Sequence, residues 1–103
     1  MHLEPTRMEL AILKHFHEVK RDAGFPRPED VRVTARTATP CGRYVSLCGS
    51  GLIASFVQLN MESVPNGMSA DLRLTEPCSG VLELVVNGGD VWSGEEHGFV
   101  LVW

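Results

Sequence analysis

The hydrophobic positions of this chain change period once, and that change separates a helical opening from a sheet-forming remainder. Met8, Ile12, Phe16, Val19 and Ala23 recur at spacings of three and four, which places them on one side of a helix turning every 3.6 residues. Leu13 widens this stripe, while Lys14, His17 and Arg21 fall opposite it, with Leu10 among them. Thr6 and Glu9 stand three apart at the start, the spacing of a reciprocal cap in which hydroxyl and carboxylate each accept from the other residue's backbone N–H. Gly24 is the stop signal, because glycine tolerates the left-handed conformation past a last turn. Phe25 is then placed to fold back on the helix, and Pro26 and Pro28 prevent continuation.

From Val31 the period is two. Val31, Val33, Ala35 and Thr37 alternate with Arg32, Thr34 and Arg36, predicting a half-exposed strand with the arginines outward, turned by Pro40-Cys41-Gly42. Residues 43–48 form a second strand ended by Gly49-Ser50-Gly51. In residues 52–62, Ile53, Val57, Leu59 and Met61 share one face, and Leu52, Ala54 and Phe56 make the first half apolar on the other as well. That is the pattern of a central strand covered on both sides. Val64-Pro65-Asn66-Gly67 predicts a hairpin turn. Beyond it Met68, Ala70, Leu72 and Leu74 point inward and Ser69, Asp71, Arg73 and Thr75 outward, up to a turn at Glu76-Pro77-Cys78-Ser79-Gly80. Residues 81–86 follow, then the turn Asn87-Gly88-Gly89-Asp90, and the chain closes on Phe99-Val100-Leu101-Val102-Trp103.

These elements predict an α+β fold, one N-terminal helix packed on a mainly antiparallel sheet of five or six strands in meander order, flat or curled toward a barrel or sandwich. At 103 residues the chain forms one domain, 1–103, because either half alone would be too small to bury a core. With 44% hydrophobic and 21% charged residues the composition is that of an ordinary globular protein. One helix covers part of one sheet face, so the apolar residues left on the other call for cover. A curled sheet provides it within one chain and a homodimer between two; the dimer is the preferred expectation, since large apolar patches are uncommon on monomers.

Charge narrows the partners. Residues 1–50 carry eight basic and six acidic side chains, residues 51–103 one basic and seven acidic, for a net charge of −4. An acidic second half suits a cationic protein partner and repels nucleic acid. A basic patch from Lys14, Arg21, Arg32 and Arg36 lacks the interleaved aromatics that nucleic-acid binding uses. No apolar run approaches the roughly 20 residues that span a bilayer, and Met1-His2-Leu3-Glu4-Pro5 lacks a basic, then apolar, secretory start. The expected setting is the cytoplasm, without membrane association.

Chemical motifs are sparse. Gly49-Ser50-Gly51 lacks the glycine spacing of a nucleophile elbow and the Gly-Lys-Ser of a phosphate loop. Cys41, Cys48 and Cys78 are an odd number, and their spacing with His97 matches no zinc knuckle, so they are expected to be reduced thiols packed as small apolar groups or lying in turns. No cofactor or metal is implied. His15 falls near the apolar edge of the helix and His17 on its polar side. The candidate binding element is the loop holding Trp92, Glu95, Glu96 and His97, where an exposed Trp flanked by carboxylates would serve as an interface anchor.

Taken together, these features favour a non-catalytic protein-binding or self-associating module, of the kind an inhibitor or immunity protein represents. The alternative is a small enzyme or ligand binder with a pocket between helix and sheet, using Glu95, Glu96, His97 and Asp71. A closed pocket with converging polar groups would favour the enzyme, and a flat apolar patch rimmed by carboxylates the binder.

The cysteine count yields a prediction. Thiol titration of the denatured protein, prepared without oxidant, should find three reactive groups, and metal analysis no stoichiometric zinc. Tightly held zinc would overturn the assignment of Cys78 as a simple thiol.

Overall fold

In the computed structural model, residues 3–89 and 91–102 are described. Asp90 of the predicted turn and Trp103 of the closing run lie outside them, as do Met1 and His2. Helix α1, Arg7–Val19, is followed by two 3-10 turns, Arg21–Ala23 and Pro28–Asp30, and then by six strands. These are β1 Arg32–Thr39, β2 Gly42–Cys48, β3 Ser55–Met61, β4 Val64–Glu76, β5 Ser79–Val86 and β6 Val100–Val102. They form one sheet in the order β1-β2-β5-β4-β3-β6, with every neighbouring pair antiparallel, so the expected meander is interrupted where β5 pairs with β2 and β6 with β3. The sheet is open and does not curl into a barrel.

The helix starts as its sequence requires. The Thr6 hydroxyl accepts from Glu9 N at 3.2 Å and the Glu9 carboxylate from Thr6 N at 2.9 Å. Met8, Ile12, Leu13 and Phe16 are buried against Val33, Val45, Val57, Leu59, Leu72, Leu82 and Leu84 in one core on one side of the sheet. The end of the helix departs from the expected stripe. α1 stops at Val19, and Phe25 N donates to Lys20 O at 3.2 Å, turning Phe25 back onto Phe16 with ring centroids 5.8 Å apart. Phe25 therefore completes the apolar layer, Val19 is left 48% exposed, and Ala23 is exposed too. Gly24 takes the left-handed conformation, but closes the first 3-10 turn instead of the helix.

Three strand expectations are corrected. In β1 the register slips between Val33, opposite Leu47, and Ala35, opposite Ser46. The extra residue inverts the alternation, because side chains change face at every step. Arg36 now stands opposite the buried Val45, on the helix side, while Ala35 and Thr37 face out. In β3 the strand begins only at Ser55, whose hydroxyl donates to Ile53 O at 2.7 Å. Leu52 enters the core ahead of the strand, whereas Phe56 is 56% exposed on the outer face. β3 is not central: its far neighbour is the three-residue edge strand β6.

The third correction concerns Val64-Pro65-Asn66-Gly67. The β3–β4 turn is made by Glu62 and Ser63, since Met61 pairs with Val64. Pro65, Asn66 and Gly67 form a bulge inside β4, between the pairs Leu59–Met68 and Met61–Val64. Proline has no N–H to donate, so a lapse in the ladder suits it. Gly67 has φ +75°, and a Cβ there would lie 2.7 Å from Leu59 O, a position that only glycine fills without strain. The rest of β4 alternates as expected until Leu74, which lies past Leu72, the partner of the first β3 residue, and is exposed.

The contrast between Phe16 and Val19 can be measured. Phe16→Ala should cost roughly 3–5 kcal/mol, and Val19→Ala about 0.5 kcal/mol or less. Chemical denaturation giving similar losses for the two would contradict the helix end described above.

Candidate functional site

Two groups of polar side chains stand out, on opposite faces of the sheet. The first lies under the loop that links β5 to β6. Arg36 from β1 holds Glu9 in a two-pronged pair, Nε to Oε2 at 2.9 Å and Nη2 to Oε1 at 2.6 Å. Arg43 from β2 bridges Glu9 Oε2 at 3.3 Å and Glu96 Oε2 at 2.7 Å. The other Glu96 oxygen accepts from Met8 N, in the first turn of α1, at 3.1 Å. Trp92 completes the arrangement: its ring lies under the Arg43 guanidinium at 4.9 Å, its N–H donates to Pro40 O at 3.2 Å, and its indole N–H donates to Glu95 O at 2.9 Å.

Glu9 is fully buried. Burial, the strongest single influence, would raise its pKa; the Arg36 hydrogen bonds, the Thr6 N–H and the charges of Arg36 and Arg43 together outweigh it and hold the carboxyl below its ordinary value. Arg36 is raised in turn by its hydrogen bonds to Glu9. Both carboxylates are thus saturated by donors from the same protein, the pattern of a structural tie between helix, sheet and loop. Arg43 Nε is buried with no hydrogen-bond partner among the described residues.

The loop residues singled out in the sequence divide accordingly. Trp92 is 7% exposed, which corrects the expected surface anchor: it packs inward. Glu96 points into the ion cluster, whereas Glu95 and His97 are exposed, and no hydrogen bond or ion pair joins either side chain to the other or to Glu96 among the described residues. A shallow depression of about 270 Å³ is lined by Arg7, Glu96, His97, Gly98 and Phe99. Asp71 is remote from it, on the outer face, where it pairs across the ladder with Phe56 and Glu83. The four groups that the enzyme reading needed are therefore not brought together. Arg36 turns inward, away from the outer face on which the alternation placed it with Arg32. His17 is held by its Nδ1, 2.8 Å from Phe25 O. Cys41 and Cys78 are exposed turn residues rather than packed apolar groups, and Cys48 is half-buried on the outer face.

The second group occupies that outer face, which no described element covers. Thr37, Tyr44, Glu83, Asp71 and Phe56 are successive cross-strand partners on β1, β2, β5, β4 and β3. Tyr44 is 41% exposed, and Val85, Val100 and Val102 add apolar surface on the same side. Arg73 Nη2 donates to Glu83 Oε1 at 2.9 Å. Asp71 makes no hydrogen bond or ion pair among the described residues. Sequence alternation had put Asp71 and Arg73 outward. It also put Phe56 on the face opposite Ile53 and Val57, but expected that face to be covered there, and it missed the ion cluster because Arg36 changes face at the bulge.

Among the described residues no helix is long and apolar enough to cross a membrane, and no three His, Cys, Asp or Glu side chains gather as a metal site would need. Comparison with protein-family models, curated proteins and solved structures gave no match. The functional reading therefore rests on the geometry of this chain.

The ion cluster sets a pH dependence. Because the folded-state pKa of Glu9 lies below the unfolded value near 4.5, its contribution to stability is present above that value and is lost as pH falls through the folded pKa. Glu9→Gln leaves Arg36 without its anion and Arg43 with Glu96 alone, and should destabilise by roughly 3–5 kcal/mol at pH 7. It should also flatten the stability slope below pH about 4.5. A variant with the wild-type slope in urea titrations across that window would remove Glu9 from this role.

Proposed function

We propose that this protein is a non-catalytic binding module that docks a protein partner on the open face of its sheet. The observation that carries the reading is the row Tyr44, Glu83, Asp71 and Phe56, two exposed aromatics enclosing two carboxylates on four adjacent strands. Large apolar side chains on a flat face are stabilised by burial against a second surface, and aromatics are enriched where such contacts form. The molecule measures 34 × 28 × 20 Å, broad enough for a face to approach the roughly 800 Å² that one partner contributes to a standard interface. The acidic second half of the chain supports a partner of positive charge, as for an inhibitor or immunity-type protein.

The enzyme reading has less support. The helix-covered side of the sheet is filled by the core, and Glu96 is already paired with Arg43 and the helix backbone. Self-association through the same face is less favoured than a different partner, because a twofold axis through the row would bring Asp71 and Glu83 against their own copies.

The test uses a pair of substitutions at exposed positions, Tyr44→Ser with Phe56→Ser, which should leave the circular dichroism spectrum unchanged. Species retained from lysate by the immobilised wild-type protein at low salt should be lost from the double variant and reduced at high salt. Equal retention by both proteins would place binding elsewhere. Sedimentation at micromolar concentration checks the dimer: association abolished by the same substitutions would replace the foreign partner with a second copy.

A further inference from the structure

The centre of the open face has an electrostatic feature that its apolar residues do not explain. Asp71 and Glu83 are direct partners across the β4–β5 ladder, with Cβ atoms on adjacent strands about 5 Å apart, and like charges so placed destabilise a sheet. Arg73 relieves only half of this. Its guanidinium reaches Glu83 from two residues along β4, while Asp71 remains without a cation among the described residues. The Arg73–Glu83 pair also shows a guanidinium on this face meeting a carboxylate at 2.9 Å.

The flanks carry the second part of the argument. Tyr44 and Phe56 stand at the two ends of the carboxylate pair, three strand spacings apart, or about 14 Å between backbones. Both side chains are exposed on this face, Tyr44 to 41% and Phe56 to 56%. Aromatic faces attract a cation electrostatically, and the attraction is larger once water is excluded. Two carboxylates between two aromatic rings thus complement a cationic side chain, with the rings contacting its aliphatic or planar part and the carboxylates its charge.

Building on the docking role proposed above, we infer that the partner presents a lysine or arginine side chain to Asp71 and Glu83 between Tyr44 and Phe56. Arg73 is then an internal competitor. When the partner's cation arrives, Asp71 receives it directly, and Glu83 is shared with Arg73. Removing the Arg73 charge leaves both carboxylates to the partner and takes away a like charge from beside the incoming group.

A random peptide library displayed on phage, panned on the immobilised wild-type protein with the Tyr44→Ser/Phe56→Ser variant as counter-selection, tests this without a known partner. The selected peptides are expected to carry Lys or Arg. Calorimetry with synthetic copies should show binding at least about tenfold weaker to Asp71→Asn/Glu83→Gln, weaker at high salt, and severalfold tighter to Arg73→Gln. Peptides that need Tyr44 and Phe56 but lack basic residues, or that bind the neutralised variant equally well, would overturn the cationic inference and leave the docking face standing. Peptides indifferent to the aromatic substitutions, or no enrichment at all, would overturn both.

Discussion

The Glu9 carboxylate joins parts of the chain that are distant in sequence. It caps its own helix through Thr6, receives the Arg36 guanidinium from β1, and shares Arg43 from β2 with Glu96 of the late loop. A carboxylate this deeply buried is stable only when its oxygens are matched by donors, because an unpaired charge away from water costs several kcal/mol. That requirement fixes the helix start over the first hairpin and fixes the loop over the helix start. Trp92 adds the apolar half of the same junction, its ring against Arg43 and its backbone against Pro40. Trp92 and Glu96, which read as surface residues, are in consequence structural, while Glu95 and His97 stay exposed.

With the helix, the core and the loop all committed to one side, the other side of the sheet meets solvent. Its side chains follow from strand alternation. Ser69, Asp71 and Arg73 of β4 lie beside Val81, Glu83 and Val85 of β5, a mixed polar and aliphatic surface that carries aromatics at its flanks. The division of labour is physical. The carboxylates on the covered side are paired internally and stabilise the fold, whereas Asp71 on the open side keeps unused acceptor capacity. Binding is proposed where that capacity remains.

The sequence by itself determined the elements that depend on neighbours close along the chain. The Thr6–Glu9 cap, the Met8–Ile12–Phe16 stripe, the return of Phe25, and the alternation from Met68 to Leu72 all arise from spacings of two to nine residues, which backbone geometry translates directly into faces. Only the tertiary structure decided the rest. The bulge after Val33 exists because β1 must register with β2, and it alone carries Arg36 to Glu9. Pro65-Asn66-Gly67 had every local mark of a turn, yet pairing of Met61 with Val64 made it a bulge. Phe56 lost its expected cover because no described element packs on the outer face of the sheet, and the pairing of β5 with β2, which brings Tyr44 beside Glu83, is long-range. Period tells which residues share a face; strand order and register, set by contacts across the whole chain, tell which faces are buried and which residues meet on them.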